Sequence, residues 1–169
     1  MNKLILNISK RKIIFIILSV LWMIVIFWYS SRNSELSTSD SQAVGLTIGN
    51  ITIDDFEQWT TDEQYQYAAS IDHPVRKIAH FSEYCILGIL LMGAWYDSNK
   101  KKAVIVLLPF LTGLIYAATD ELHQLLVSGR AGMVSDVIID GSGVLAGVLL
   151  SMLLIFFIKT LRSGEIRMS

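Results

Sequence analysis

Apolar residues fill four stretches of the chain almost without interruption, at about residues 13–29, 78–96, 103–126 and 133–158. A hydrocarbon core about 30 Å thick is crossed by roughly 20 helical residues, so each stretch predicts a membrane-spanning α-helix. The first follows Lys10-Arg11-Lys12 and ends in Trp28-Tyr29-Ser30 without an Ala-x-Ala-like cleavage site, which predicts an uncleaved anchor. Between the first two spans lies a polar segment, 30–75, too long for a simple connection. Ser37-Thr38-Ser39-Asp40 stands before 42–48 and Asp54-Asp55 before 56–69, both in the manner of helix N-caps. These two stretches are predicted to be short helices lying on the bilayer. Phe56, Trp59, Tyr65 and Tyr67 would then sit either at headgroup depth or packed onto the bundle. Asp72-His73-Pro74 is expected to open the second span, with Asp72 or His73 as cap and Pro74 at the first helical position.

The pattern therefore predicts an all-α, polytopic membrane protein. Four transmembrane helices form one bundle, with short extracytoplasmic interfacial helices, in a single domain over residues 1–169. Composition agrees: 53% of the residues are hydrophobic and mean hydropathy is +0.51, above the apolar share of about 45–50% typical of soluble domains. A net charge of −1 conceals a strong asymmetry. Lys10, Arg11 and Lys12, then Lys100, Lys101 and Lys102, then Lys159, Arg162 and Arg167 all fall on one membrane face. By the positive-inside rule that face is the cytoplasmic side of the plasma membrane, with both termini inside. The acidic 30–75 segment and the turn around Arg130 then face outward. No basic stripe with interleaved aromatics supports nucleic-acid binding. A single cysteine, Cys85, excludes an intrachain disulfide and a paired-cysteine metal motif.

Ionisable residues interrupt three of the apolar runs. Each costs roughly 2.5–3.5 kcal/mol on insertion scales, so partners or an aqueous pocket are required. At about 100° per residue, Arg76, Lys77, His80, Glu83 and Tyr84 share one face of the second span. Tyr116, Asp120, His123 and Gln124 form a stripe on the third, with Glu121 at its margin. On the fourth, Asp136 and Asp140 share a face with Gly143-x-x-x-Gly147, a small-residue surface that admits close helix approach. Those aspartates are thus expected to point toward helices, and Glu83, Asp120 and Asp140 to lie about 10 Å below the helix ends. One pocket could collect them all.

Three strings, Arg76-Lys77-x-x-His80-Phe81-x-Glu83-Tyr84, Asp120-Glu121-x-x-Gln124 and Gly129-Arg130-x-Gly132-x-x-x-Asp136-x-x-x-Asp140-x-x-Gly143, closely resemble the signature of VanZ-like membrane proteins. The resemblance covers about residues 76–150, with weaker support from the Ser-rich 34–42. Family members frequently carry Asn where this chain has Asp140. The resemblance implies a cell-envelope setting and an association with resistance to glycopeptide antibiotics, notably teicoplanin and lipoglycopeptides.

Two functional classes remain open at the level of sequence. In the first, a membrane-embedded hydrolase or transferase uses His80 or Glu83 as general base, oriented by Asp120 or Asp136. Arg76, Lys77 and Arg130 then hold a phosphate or carboxylate of a lipid-linked or cell-wall-precursor headgroup, with Tyr84, Glu121, His123, Gln124 and Asp140 completing the ligand site. In the second, the protein binds, transports or docks a partner, and the polar cluster is structural. The expected partners are membrane lipids, a lipid-linked cell-wall precursor or a glycopeptide. Three bases, Arg76, Lys77 and Arg130, oppose five acids, Glu83, Asp120, Glu121, Asp136 and Asp140. A divalent metal, protonated histidines or neutral carboxyl groups could each close that two-charge gap. His80-x-x-Glu83 and Asp120-x-x-His123 are the pairs with ligand spacing for such an ion.

Overall fold

A computed structural model describes the backbone of residues 10–168 and the side chains of residues 10–161. Arg162 and Arg167 of the third basic cluster lie outside the described side chains. The elements are α1 (Lys10–Ser30), α2 (Ser34–Thr52), a 3-10 turn (Phe56–Gln58), α3 (Thr61–Ser70), α4 (Asp72–Trp95), α5 (Lys102–Gln124) and α6 (Val134–Met168). Among the described residues there is no strand. Four helices are long and apolar enough to cross a membrane: Lys10–Ser30, Asp72–Trp95, Lys102–Gln124 and Val134–Leu161. Their outer faces expose large apolar side chains such as Ile24 (58%), Leu153 (65%) and Phe156 (68%). A continuous surface of this kind is solvated by lipid and not by water.

Helix α4 is the hub, packed most extensively against α6 and then against α1 and α5. Tyr84, Leu87, Leu91 and Met92 of α4 meet Ile26, Ile105, Ala117, Val144 and Val148 in the core. The α4–α6 contact is built on glycine. A Cβ on Gly143 would run into the Phe81 carbonyl oxygen, one on Gly147 into the Cys85 carbonyl oxygen, and one on Gly88 into the Val144 carbonyl oxygen. The two backbones therefore touch, as the small-residue spacing predicted. Helix α1 is fixed by polar bonds as well: Trp22 Nε1 donates to the Glu83 carbonyl at 2.8 Å, and Tyr116 Oη donates to the Met23 carbonyl at 2.7 Å.

The segment between α1 and α4 departs from the sequence expectation in its boundaries. Helix α2 starts at Ser34, well before residue 42, because Asn33 Oδ1 accepts the Leu36 N–H at 3.0 Å. Ser37 to Asp40 are interior positions, and Ser41 Oγ lies 3.0 Å from both the Ser37 and the Thr38 carbonyl oxygens. Only a 3-10 turn follows Asp54-Asp55, and α3 starts after Thr60, whose hydroxyl and main chain form a reciprocal capping box with Glu63. The Thr60 hydroxyl and N–H bonds hold the Glu63 pKa below its ordinary value, so this cap weakens as pH falls through that lowered value. Phe56 is 2% exposed, against Gly49, Trp59 and Tyr67, whereas Trp59 and Tyr65 stay exposed. Packing thus takes Phe56. Helix α4 begins at Asp72 without a side-chain cap, so neither Asp72 nor His73 serves as one. Pro74 sits inside the first turn, where a missing N–H breaks no helical bond.

One end of the bundle is basic. Arg11 Nη2 donates to the Tyr96 carbonyl at 2.6 Å, and Arg11 and Lys159 lie 5.4 and 5.7 Å from the Tyr96 ring centre. The other end carries α2, α3 and the α5–α6 turn, joined where Ser34 N donates to the Ser128 carbonyl at 3.4 Å. Gly147→Val is expected to force α4 and α6 apart and destabilise the detergent-purified protein by about 1–3 kcal/mol, seen as a lowered melting temperature. Gly141→Ala, which meets only the Leu114 Cδ1 atom, is expected to melt within a degree or so of the parent. Equal melting of Gly147→Val and parent would contradict the backbone contact.

Candidate functional site

At the end away from the basic belt, three helices bring their polar faces together around two adjoining cavities of about 320 and 230 Å³. Arg76, His80 and Arg130 line both. The larger adds Glu83, Asp120 and an apolar wall including Ile26, Val44 and Val75; the smaller adds Lys77, Gln124, Asp136 and Asp140. Helix periodicity explains the gathering, since positions three and four apart on α4 and four apart on α6 present to one side.

Arg76 is held by its surroundings. Its guanidinium pairs with Asp72 one turn earlier, and Nη2 donates to Thr38 Oγ1 of α2 at 3.0 Å. Ser41 Oγ donates to the same Asp72 carboxylate, so four side chains clamp α2 onto the start of α4. Lys77 Nζ reaches Asp136 Oδ1 at 3.4 Å, and Ser135 Oγ donates to the same oxygen at 3.2 Å. Tyr84 is fully buried and donates to Asp120 Oδ2 at 3.2 Å, while Asp120 Oδ1 has no hydrogen-bond partner. Asp140 is 0% exposed, and neither of its oxygens has one. His80 Nδ1 stands 3.4 Å from Asp140 Oδ1, within ion-pair distance but not in hydrogen-bond geometry.

Glu121 does not pair with Arg130 or Lys77. One oxygen accepts the Met133 N–H at 2.9 Å and the other the Gln124 side chain at 3.1 Å, which fastens the start of α6 to the end of α5. His123 lines neither cavity: the three-residue step turns it about 60° from Asp120, against the Phe27 ring of α1 at 4.5 Å and Ser31 Oγ, just past that helix, at 3.1 Å. The Asp120-x-x-His123 pairing is thereby taken apart. Arg130 follows Gly129, whose positive φ of 74° turns the chain back toward Ser34. Arg130 Nε donates to the Arg32 carbonyl at 3.3 Å, and no carboxylate stands within ion-pair distance of it among the described residues. Burial, and next the neighbouring charge of Arg76, lower its pKa from the ordinary arginine value. The Glu83 carboxylate likewise has no hydrogen bond or ion pair among the described residues.

Sequence reasoning missed the contribution of α2, which supplies Ser37, Asp40, Ser41 and Val44 to the larger cavity, and it missed Asp72 as the partner of Arg76. The Asp72–Arg76 spacing of four was the available signal. For cation binding, one donor atom each from His80, Glu121 and Asp140 lie within 4.8 Å of one another. That group includes neither Glu83 nor His123.

The profile of the VanZ/LLP1 family matches residues 15–157, most of the chain, and the protein belongs to that family. No curated protein and no solved structure matches it. The match takes in α1 and α2 as well as the helices that carry the three motif strings.

Asp72→Asn removes the charge shared by Arg76 and Ser41, and we expect it to loosen α2 by about 1–3 kcal/mol. Limited proteolysis in membranes should then cut the α2–α3 segment roughly tenfold faster, at about 1.4 kcal/mol per decade. Unchanged cleavage kinetics would mean the clamp does not hold α2 in place.

Proposed function

We propose that this VanZ/LLP1 protein receives the anionic headgroup of an envelope lipid in the larger cavity, with Arg130 as the principal anchor. The carrying observation is a half-buried guanidinium that lacks a carboxylate partner and stands beside a second guanidinium, Arg76, on the wall of a 320 Å³ cavity. Arg130, without a carboxylate partner of its own, favours an anion in that space, and a guanidinium fork suits a phosphate through paired hydrogen bonds. The apolar wall of Ile26, Val44 and Val75 suits the first carbons of a lipid chain, and the unpaired Glu83 carboxylate can accept from a hydroxyl or ammonium of the same headgroup.

The basic belt around Tyr96 supports an orientation with that end in the cytoplasm. The cavities then open on the extracytoplasmic side of the plasma membrane, where lipid-linked cell-wall precursors are exposed. Sequestering such a headgroup is a route by which the protein would lower susceptibility to teicoplanin-type glycopeptides. A second reading, hydrolysis or transfer on the same headgroup, rests on Glu83 standing one helical turn from His80 with no partner to quench it.

The test is native mass spectrometry of purified protein offered phosphatidylglycerol, phosphatidylcholine and a polyisoprenyl diphosphate lipid in turn. We expect retention of an anionic lipid, weakened by roughly 10–100-fold in Arg130→Ala, the effect of losing one charge-assisted contact of about 1.5–3 kcal/mol. Arg130→Lys should recover only part of it, because an ammonium lacks the fork. A retained lipid of unchanged mass identifies binding, and a changed mass identifies catalysis. Equal retention by Arg130→Ala and parent, both folded by gel filtration, would overturn the assignment.

A further inference from the structure

Asp140 is the least comfortable residue in the bundle. Its carboxylate is entirely buried, both oxygens lack hydrogen bonds, and the arginine and lysine side chains nearby are turned to other tasks: Arg76 to Asp72, Lys77 to Asp136, Arg130 to a main-chain carbonyl. His80 Nδ1, 3.4 Å away, is also buried without a hydrogen bond and forms an ion pair with Asp140 only when the imidazole is protonated. The two side chains face each other without a hydrogen bond between them. Glu121, 4% exposed and from a third helix, brings a carboxylate oxygen alongside them, so that the three donor atoms lie within 4.8 Å of one another.

From this arrangement we propose that His80, Glu121 and Asp140 bind a divalent first-row transition metal, of the zinc or manganese type. Since no two of these donor atoms are more than 4.8 Å apart, a point lies within roughly 2.8 Å of all three, against metal–nitrogen and metal–oxygen bonds of about 2.0–2.2 Å. A shift of at most about 0.6–0.8 Å from each side chain closes the shell. One imidazole and two carboxylates form a mixed nitrogen and oxygen set, which suits these ions better than calcium or magnesium, whose ligands are all oxygen. The ion supplies two positive charges to two buried carboxylates that no lysine or arginine side chain reaches among the described residues. An outer set of bonds already holds Glu121: the Gln124 side chain at 3.1 Å and the Met133 N–H at 2.9 Å orient its carboxylate, as partners of metal ligands commonly do. His80 and Asp140 both line the smaller cavity, so coordination positions left by the three residues face open space. Such a centre has one ligand on each of α4, α5 and α6 and ties the three together. Its ligand His80 lines the same cavities as Arg130, but the metal proposal does not rest on the headgroup reading.

The experiment uses the full chain in mild detergent with metal alone and no added lipid. After chelation and removal of the chelator, Zn2+ or Mn2+ is added back, and bound metal is counted by inductively coupled plasma mass spectrometry. Affinity is measured by calorimetry. We expect about one ion per chain, at least a tenfold loss of affinity in Asp140→Asn and in His80→Ala, and parent-like binding in Glu83→Gln, whose carboxylate lies outside the triad. Co2+ added to the parent protein should give visible absorption bands that Zn2+ displaces, a readout that stands even where a variant fails to fold. Substoichiometric Zn2+ and Mn2+ in the parent with no displaceable Co2+ bands, or a folded Asp140→Asn that binds as the parent does, would overturn the site.

Discussion

Acidic groups drawn out of water must be met by something, and in this protein that demand organises one whole end of the bundle. Asp120, Glu121 and Asp140 are each no more than 4% exposed, on α5 and α6. A carboxylate in such surroundings is stable only with donors or positive charge close by. The fold answers it differently at each position. Tyr84 donates to Asp120 across the α4–α5 contact, and the start of α6 donates to Glu121. The Asp140 oxygens receive no donor. Every helix that approaches this region is fixed in register by that demand, because a slide of one residue turns a polar stripe about 100° toward lipid.

The glycine seam allows the arrangement. Asp136 and Asp140 reach the α4 face because Gly143 and Gly147, one and two turns further along α6, let the two backbones touch. With ordinary side chains at those positions the helices would stand farther apart, and His80 and Asp140 would be separated by more than their 3.4 Å. Close packing toward one end and chemistry at the other are therefore two parts of a single helix pair.

Much of this was legible in the residues. The four spans, the glycine seam and the shared faces of α4 and α6 follow from apolar run length and from spacings of three and four, which the bilayer enforces strictly. The segment between α1 and α4 was less legible. Its helix starts depend on which of many polar residues caps, and Asn33 and Thr60 prevailed over the equally suitable Ser37 and Asp54. Tertiary contacts decided the site in detail as well. His123 shares a nominal stripe with Asp120, but α1 lies on that side and takes it. Glu121, at the edge of the stripe, turned inward because Met133 offered it a donor. Periodicity places a residue on a face; only the neighbouring helix determines what that face meets.

Trp22 of α1 leans against the far side of the Glu83 turn, with its indole N–H on that residue's carbonyl oxygen at 2.8 Å. A main-chain carbonyl inside a helix is already engaged by the N–H four residues on, so the indole shares that acceptor with the backbone ladder of α4. Trp22 is one of four tryptophans, and its emission colour follows the dielectric surroundings of the ring. The wall behind Glu83 thus carries one of the protein's own fluorophores, readable once the other three indoles are accounted for.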